Sequence, residues 1–234
     1  MINNENLIHF LEIILNKNKK DIDVSDLKSL KTIIFSKLNK DNNQVYNSEE
    51  LLLFENVEQI TIKESTITNE DIEVLKKLPK LKKIIFSKCF FKDSSILTGL
   101  ININDISFIE CYNKDYNFIN SLNKLEKLQI VNPYLDEKIN VNSLFLSFGL
   151  KDITLQSCNL INIQSLSSMN NLEKLSLLFS KFEGDLNFIK NLNSLRELYI
   201  SEDYIKAGKY GDLNVYNSYA HLLMIDESKS NIVL

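Results

Sequence analysis

Residues 150–177 read Leu150-Lys-Asp-Ile153-Thr-Leu155-Gln-Ser-Cys158-Asn-Leu160-Ile-Asn-Ile163-Gln-Ser-Leu166-Ser-Ser-Met169-Asn-Asn-Leu172-Glu-Lys-Leu175-Ser-Leu177. The spacing apolar-x-x-apolar-x-apolar opens this stretch at Leu150, Ile153 and Leu155, and it returns at Leu172, Leu175 and Leu177. Outward from here it recurs at Val57, Ile60, Ile62; Leu81, Ile84, Phe86; Ile103, Ile106, Phe108; Leu125, Leu128, Ile130; and Leu195, Leu198, Ile200. Successive first positions lie 24, 22, 22, 25, 22 and 23 residues apart. A fixed internal period of this length marks a repeat architecture.

The match runs past three residues. Counting the first apolar residue as position one, position nine is small or polar: Ser65, Cys89, Cys111, Pro133, Cys158, Ser180, Asp203. Position eleven is apolar again at Ile67, Phe91, Leu135, Leu160, Phe182 and Ile205, and only Asn113 breaks the row. Between units an apolar residue recurs every third place, as in Ile72, Leu75, Leu78 or Ile163, Leu166, Met169. Alternation at positions four and six suits a short strand with one buried face. The triplets suit 3₁₀ or short helical turns. A single unit cannot bury its apolar edge, so units stack and share a core, each inward side chain contributing about 1.5–3 kcal/mol on full burial.

This pattern resembles the leucine-rich repeat, L-x-x-L-x-L-x-x-N/C-x-L, and most of all the 22-residue class of internalins and of a phosphatase-1 regulatory subunit. The resemblance implies an α/β repeat solenoid: a curved right-handed coil with a parallel sheet on its concave face and 3₁₀ or helical turns on its convex face. The expected organisation is one elongated domain. It comprises an N-terminal helical cap over residues 1–29, repeats over 30–206 and a degenerate last repeat with a C-terminal cap over 207–234. Leu30, Ile33 and Phe35 read as a degenerate first unit, and Tyr219, Leu222 and Met224 as a degenerate last one. Leu7, Phe10, Leu11 and Ile14 follow the i, i+3, i+4, i+7 spacing of an amphipathic helix covering the first coil. Asn39 to Gln44 read as a polar loop.

Composition limits the chemistry. Five glycines form neither a G-x-G-x-x-G nor a G-x-x-x-x-G-K phosphate loop. One arginine and a net charge of -4 do not supply the basic face of a nucleic-acid binder. The apolar stretch Leu7 to Leu15 contains His9 and Glu12 and lacks a basic lead, so it does not read as a signal peptide. No apolar run reaches the length of a membrane span. No asparagine begins an N-x-S/T acceptor. A reducing, cytoplasmic location is expected.

The three cysteines share position nine, which reads as a structural slot for an inward thiol. Equivalent positions form a line, a poor geometry for tetrahedral zinc. Cys89 and Cys111 fall in adjacent coils, where a disulfide is conceivable, whereas Cys158 is two coils beyond Cys111. His9 and His221 fall near opposite ends of the chain and share no site, although His221 stands near Asp226. No enzyme, metal or cofactor is expected.

Positions three, five, seven and eight point away from the core and stack into columns. Position five reads Thr61, Ile85, Ser107, Gln129, Thr154, Ser176, Tyr199, and position seven reads Lys63, Ser87, Ile109, Val131, Gln156, Leu178, Ser201. Ile85, Ile109, Val131, Leu178, Phe179 and Tyr199, with Tyr204 at the rim, are the candidate protein-binding residues. Two readings of this strip stand side by side. It is a binding surface with aromatic anchors, or it is strand propensity and shared packing, with a slip in the sixth unit turning Phe179 inward. The expected function is a noncatalytic module that binds a protein or peptide on the concave face. The resemblance also implies two alternatives, a surface or secreted internalin-like adhesin and a regulatory subunit of an enzyme such as a phosphatase.

Overall fold

The structure is a computed structural model that describes residues 2–38, 45–112, 115–132, 137–144 and 149–201, and the backbone of 221–225. The chain forms two compact units, Met1–Lys114 and Asp115–Leu234.

The first unit begins with helix α1 (Glu5–Leu15) and helix α2 (Val24–Ser29). Asn4 caps α1 by accepting a hydrogen bond from the Leu7 amide, and its own side-chain amide donates to the Ser36 carbonyl at 2.8 Å. The Asn6 side chain donates to the Leu38 carbonyl at 2.9 Å. These bonds seat the first half of α1 on strand β1 (Thr32–Ser36). The buried face is therefore Leu7, Ile8 and Leu11. Ile14, expected inward from the spacing, lies beyond those anchors and is 56% exposed, while Phe10 is half-buried.

Strands β2 (Gln59–Lys63), β4 (Lys83–Ser87) and β6 (Asp105–Ile109) continue the parallel ladder from β1, and the short strands β3 (Thr66–Ile67) and β5 (Phe90–Phe91) pair beside it. Position-four and position-six side chains meet across the ladder, as in Ile60↔Ile84 and Ile62↔Phe86. Each coil also receives the next through one carbonyl. Lys31 O accepts the amides of Glu58 and Gln59, and Glu58 O those of Lys82 and Lys83. The core is aromatic here: Phe86 stacks on Phe108 at 5.6 Å and meets the Phe91 ring edge-on at 5.1 Å. The triplet Ile72, Leu75, Leu78 follows helix α3 (Asn69–Lys76), where Thr68 and Asp71 form a capping box.

The second unit repeats the plan. Its main ladder is β7 (Lys127–Val131), β9 (Asp152–Gln156), β11 (Lys174–Ser176), β13 (Glu197–Ser201) and β14 (His221–Ile225), all parallel. A smaller sheet joins β8 (Lys138–Asn140), β10 (Asn159–Ile161) and β12 (Lys181–Phe182). The 3₁₀ turns Ile163–Ser168 and Asn187–Asn191 return the chain between coils. Asp185 opens the latter turn by accepting the Asn187 amide at 2.9 Å, as Asp93 accepts Ser95 in the first unit. The register Leu198↔Leu222 and Ile200↔Met224 pairs the degenerate last unit with β13 as its spacing implied. Tyr219 and the rest of the expected C-terminal cap, the loop Asn39 to Gln44, and Asp226 lie outside the described residues. Of His221 the backbone alone is described.

Candidate functional site

The repeat builds its surface through one recurring turn. In five of the units position eight takes a left-handed backbone: φ is +47° at Glu64, +55° at Lys88, +52° at Glu110, +54° at Ser157 and +57° at Phe179, and Asn132 at the same place after β7 does not join them. That reversal turns position nine inward. Cys89, Cys111 and Cys158 are all buried and free, so the conceivable Cys89–Cys111 disulfide is not formed. Their thiols donate to main-chain carbonyls: Cys89 to Ile62, Cys111 to Phe86 and Cys158 to Ile130. Burial pushes the Cys158 thiol up to about 12. The hydrogen bond with Cys111 and burial both raise the Cys89 thiol. The same hydrogen bond lowers the Cys111 thiol, whereas Cys89 and Cys158 are held protonated near neutral pH.

The outward columns are less open than their sequence implies. In the first unit Ile85 and Ile109 are half-buried, placed diagonally through the pairs Ile85↔Ser107 and Ser87↔Ile109. Ser107 between them is buried. In the second unit Val131, Leu178 and Tyr199 are half-buried, and Phe179 alone of the described candidates is exposed, at 42%. Strands in a sheet lie about 4.8 Å apart, so neighbours in a column shield one another's flanks. Val131 pairs with Gln156, which separates it from Leu178. Leu178, Phe179 and Tyr199 form the local group. Phe179 points outward, so the inward slip does not occur. Tyr204 lies outside the described residues.

Lys174 stands between the carboxylates of Asp152 and Glu197 beside this group. The Tyr199 hydroxyl donates to Glu197 at 2.8 Å, Lys174 lies 3.4 Å from Glu197, and the Lys174 ammonium sits 5.1 Å from the Tyr199 ring centroid. The hydrogen bond to Glu197 raises the Tyr199 hydroxyl above its ordinary value.

Two features escaped the sequence reading. Phe90 and Tyr112, at position ten of adjacent coils, are 49% and 47% exposed and bridge one another through their backbones. The signal was present in Tyr204, which holds the same repeat position. The other feature is a buried ion pair, Lys37 to Asp71 at 2.8 Å, in which Asp71 also accepts from Ser48 at 2.7 Å and from the Thr68 amide at 2.8 Å. It ties three segments of the first unit together and leaves Asp71 2% exposed. His9 is exposed on α1. Among the described residues, no three His, Cys, Asp or Glu side chains converge as metal ligands.

No protein-family model matches the sequence, and no curated protein matches it. Solved structures do resemble it. Internalin C2 of Listeria monocytogenes is 20% identical with a TM-score of 0.51, over 94% of this chain and 91% of that one. The leucine-rich-repeat ectodomain of the Arabidopsis receptor kinase HAESA is 12% identical with a TM-score of 0.54, over 87% of this chain and 36% of that one. A leucine-rich-repeat protein of Leptospira interrogans is 14% identical with a TM-score of 0.50, over 86% of this chain and 62% of that one. With its period, its parallel ladders and its 3₁₀ returns, this chain has the leucine-rich-repeat fold.

Proposed function

We propose that the chain is a noncatalytic interaction module that binds a protein or peptide on the outward face of its strands, with Phe179 and Tyr199 as anchors. The observation that carries this reading is the group Leu178, Phe179 and Tyr199, an apolar and aromatic cluster on a face it shares with the polar Thr154 and Gln156 and the charged Asp152, Lys174 and Glu197. Buried aromatic anchors concentrate binding energy, and truncating one costs about 2 kcal/mol or more. The fold supports the same reading by analogy, since the HAESA ectodomain was solved in complex with a peptide hormone. Ile85 and Ile109 offer a second, smaller apolar pair on the first unit. A reducing compartment belongs to the proposal, supported by three thiols that remain free.

The test is affinity purification with the wild-type chain and with the double variant Phe179→Ala/Tyr199→Ala, followed by titration of the purified partner against each. Loss of the partner from a variant that still melts with the wild type supports the proposal. Equal affinity for both chains contradicts it.

A further inference from the structure

Two of the three thiols stand in register. Ser87 pairs with Ile109 two residues before them, Phe90 bridges Tyr112 one residue after, and the Tyr112 amide donates to the Cys89 carbonyl at 3.1 Å. Cys89 and Cys111 therefore stand side by side on neighbouring coils, with backbones about 4.8 Å apart. That separation falls within the Cα spacing of about 4.4–6.8 Å that a disulfide spans. The thiols also share a hydrogen bond, the leading cause of the rise at Cys89 and of the fall at Cys111. Of the pair, Cys111 yields its proton first and Cys89 keeps its own. A thiol that ionises beside one that stays protonated suits an attacking sulfur and the partner that resolves its product.

The slot itself does not call for sulfur. Ser180 fills it with a hydroxyl and bonds the same carbonyl of the preceding strand. Cys158 occupies it singly, since the matching places in the coils on either side hold Pro133 and Ser180. The pair lies close under the surface. Cys89 and Cys111 are 0% and 3% exposed, yet Lys88 and Phe90 on either side of Cys89, and Tyr112 after Cys111, are exposed. Local opening of this turn admits a small oxidant without unfolding the unit.

We propose that Cys89 and Cys111 form a reversible modification site for hydrogen peroxide, closing to a disulfide between their two coils. The Cys111 sulfur attacks one peroxide oxygen and the O–O bond breaks. The departing hydroxide takes up the Cys111 proton and leaves as water, and Cys111 becomes a sulfenic acid. The Cys89 sulfur then attacks the Cys111 sulfur and the S–OH bond breaks. That hydroxide leaves as a second water with the Cys89 proton. Two thiols and one peroxide give one disulfide and two waters, the thiols losing two electrons that the peroxide gains. Closure removes the thiol donors to the Ile62 and Phe86 carbonyls, a cost that favours return to the dithiol when a small thiol reductant is supplied. The bond joins the coils that carry the exposed rings of Phe90 and Tyr112.

The experiment treats the folded chain near neutral pH with hydrogen peroxide and follows intact mass and proteolytic peptides. Wild type is compared with Cys89→Ser, Cys111→Ser and Cys158→Ser, each of which keeps a donor in the slot, and thermal unfolding confirms that all four chains are folded. Cys158 is the internal reference, because a reaction that requires global unfolding reaches all three thiols together. Wild type is expected to lose about 2 Da, to give one linked peptide pair joining Cys89 to Cys111, and to regain both thiols in dithiothreitol. The link is expected to form at least about tenfold faster than Cys158 is oxidised, and unchanged in Cys158→Ser. In Cys89→Ser the attacking sulfur lacks its resolving partner, so that chain is expected to gain about 32 Da as a sulfinic acid. Cys111→Ser is expected to be oxidised at Cys89 at least about tenfold more slowly than Cys89→Ser is at Cys111. A wild-type chain that forms no link, a link forming no faster than Cys158 is oxidised, or a link that dithiothreitol does not reopen overturns the proposal. So does a Cys111→Ser chain oxidised as fast as Cys89→Ser, because Cys111 is then not the attacking sulfur.

Discussion

The hydroxyl of Ser180 donates a 2.7 Å hydrogen bond to the carbonyl of Leu155 in the preceding coil. The same oxygen accepts the Cys158 amide at 2.9 Å. Cys89 and Cys111 fasten their coils in the same way, each a short donor at position nine reaching the last inward carbonyl of the strand before it. Cys158 makes the equivalent, longer contact to Ile130 at 3.6 Å. Position nine tolerates hydroxyl and thiol because either one satisfies a buried carbonyl.

Ser180→Ala leaves the Leu155 carbonyl and the Cys158 amide without that partner and is expected to destabilise by about 1–3 kcal/mol. Cys158→Ser keeps a donor in place and is expected to stay within about 1 kcal/mol of wild type. Urea denaturation curves of the two variants check the contrast.

The buried thiols give the protein an alkaline limit. Burial raises Cys158 from an ordinary value of 9.0 to about 12. Below pH 9 both folded and unfolded chains carry the proton, so the stability this site contributes is fully present. Between about pH 9 and 12 the unfolded chain releases the proton and the folded chain keeps it, so stability falls as pH rises. The loss is on the order of 4 kcal/mol across that window. Stability measured against pH for wild type and Cys158→Ser isolates it, and the serine variant is expected to lack that part of the alkaline decline.

The Lys37–Asp71 pair predicts an asymmetry among ion pairs. Asp71→Ala strands a nearly buried ammonium and removes the acceptor for Ser48 and Thr68, so a loss of about 3–5 kcal/mol is expected. The pair Lys28–Glu55 at 2.9 Å is open to solvent on both sides, and Lys28→Ala is expected to leave the melting temperature unchanged. Calorimetry of both variants measures the difference.

Position eight offers stabilisation. Lys88 adopts a φ of +55° and pairs with Glu110 only at 3.7 Å in solvent. Lys88→Gly relieves the left-handed strain and is expected to raise stability by about 0.5–1 kcal/mol. Chemical denaturation is the measurement, and a loss of stability contradicts the account of the turn.

The sequence disclosed the inward half of this fold because burial imposes a period. Ile60, Ile84 and Ile106 meet in the ladder where their spacing put them, and Leu222 pairs with Leu198 even in a degenerate unit. The outward half was less legible. Nothing in Glu64, Lys88 or Glu110 signals a left-handed turn, since glycine and asparagine are the usual markers, and the one asparagine at this position, Asn132, does not take it. The half-burial of Ile85 and Tyr199 depends on neighbours a full coil away, and so does the Lys37–Asp71 pair, whose members are 34 residues apart in sequence. The face of α1 turned toward Ile8 because Asn4 and Asn6 fix its first turn to β1, a side-chain contact that periodicity does not register. The candidate cluster was readable as residues, and its division into separate groups was not.

The most direct test of the binding account is the affinity of a purified partner for wild type and for Phe179→Ala/Tyr199→Ala, measured by titration calorimetry with melting temperatures taken in parallel. The account predicts that the double variant binds about 30-fold or more weakly, the equivalent of 2 kcal/mol, while melting within about 3 °C of wild type. An unchanged affinity contradicts it.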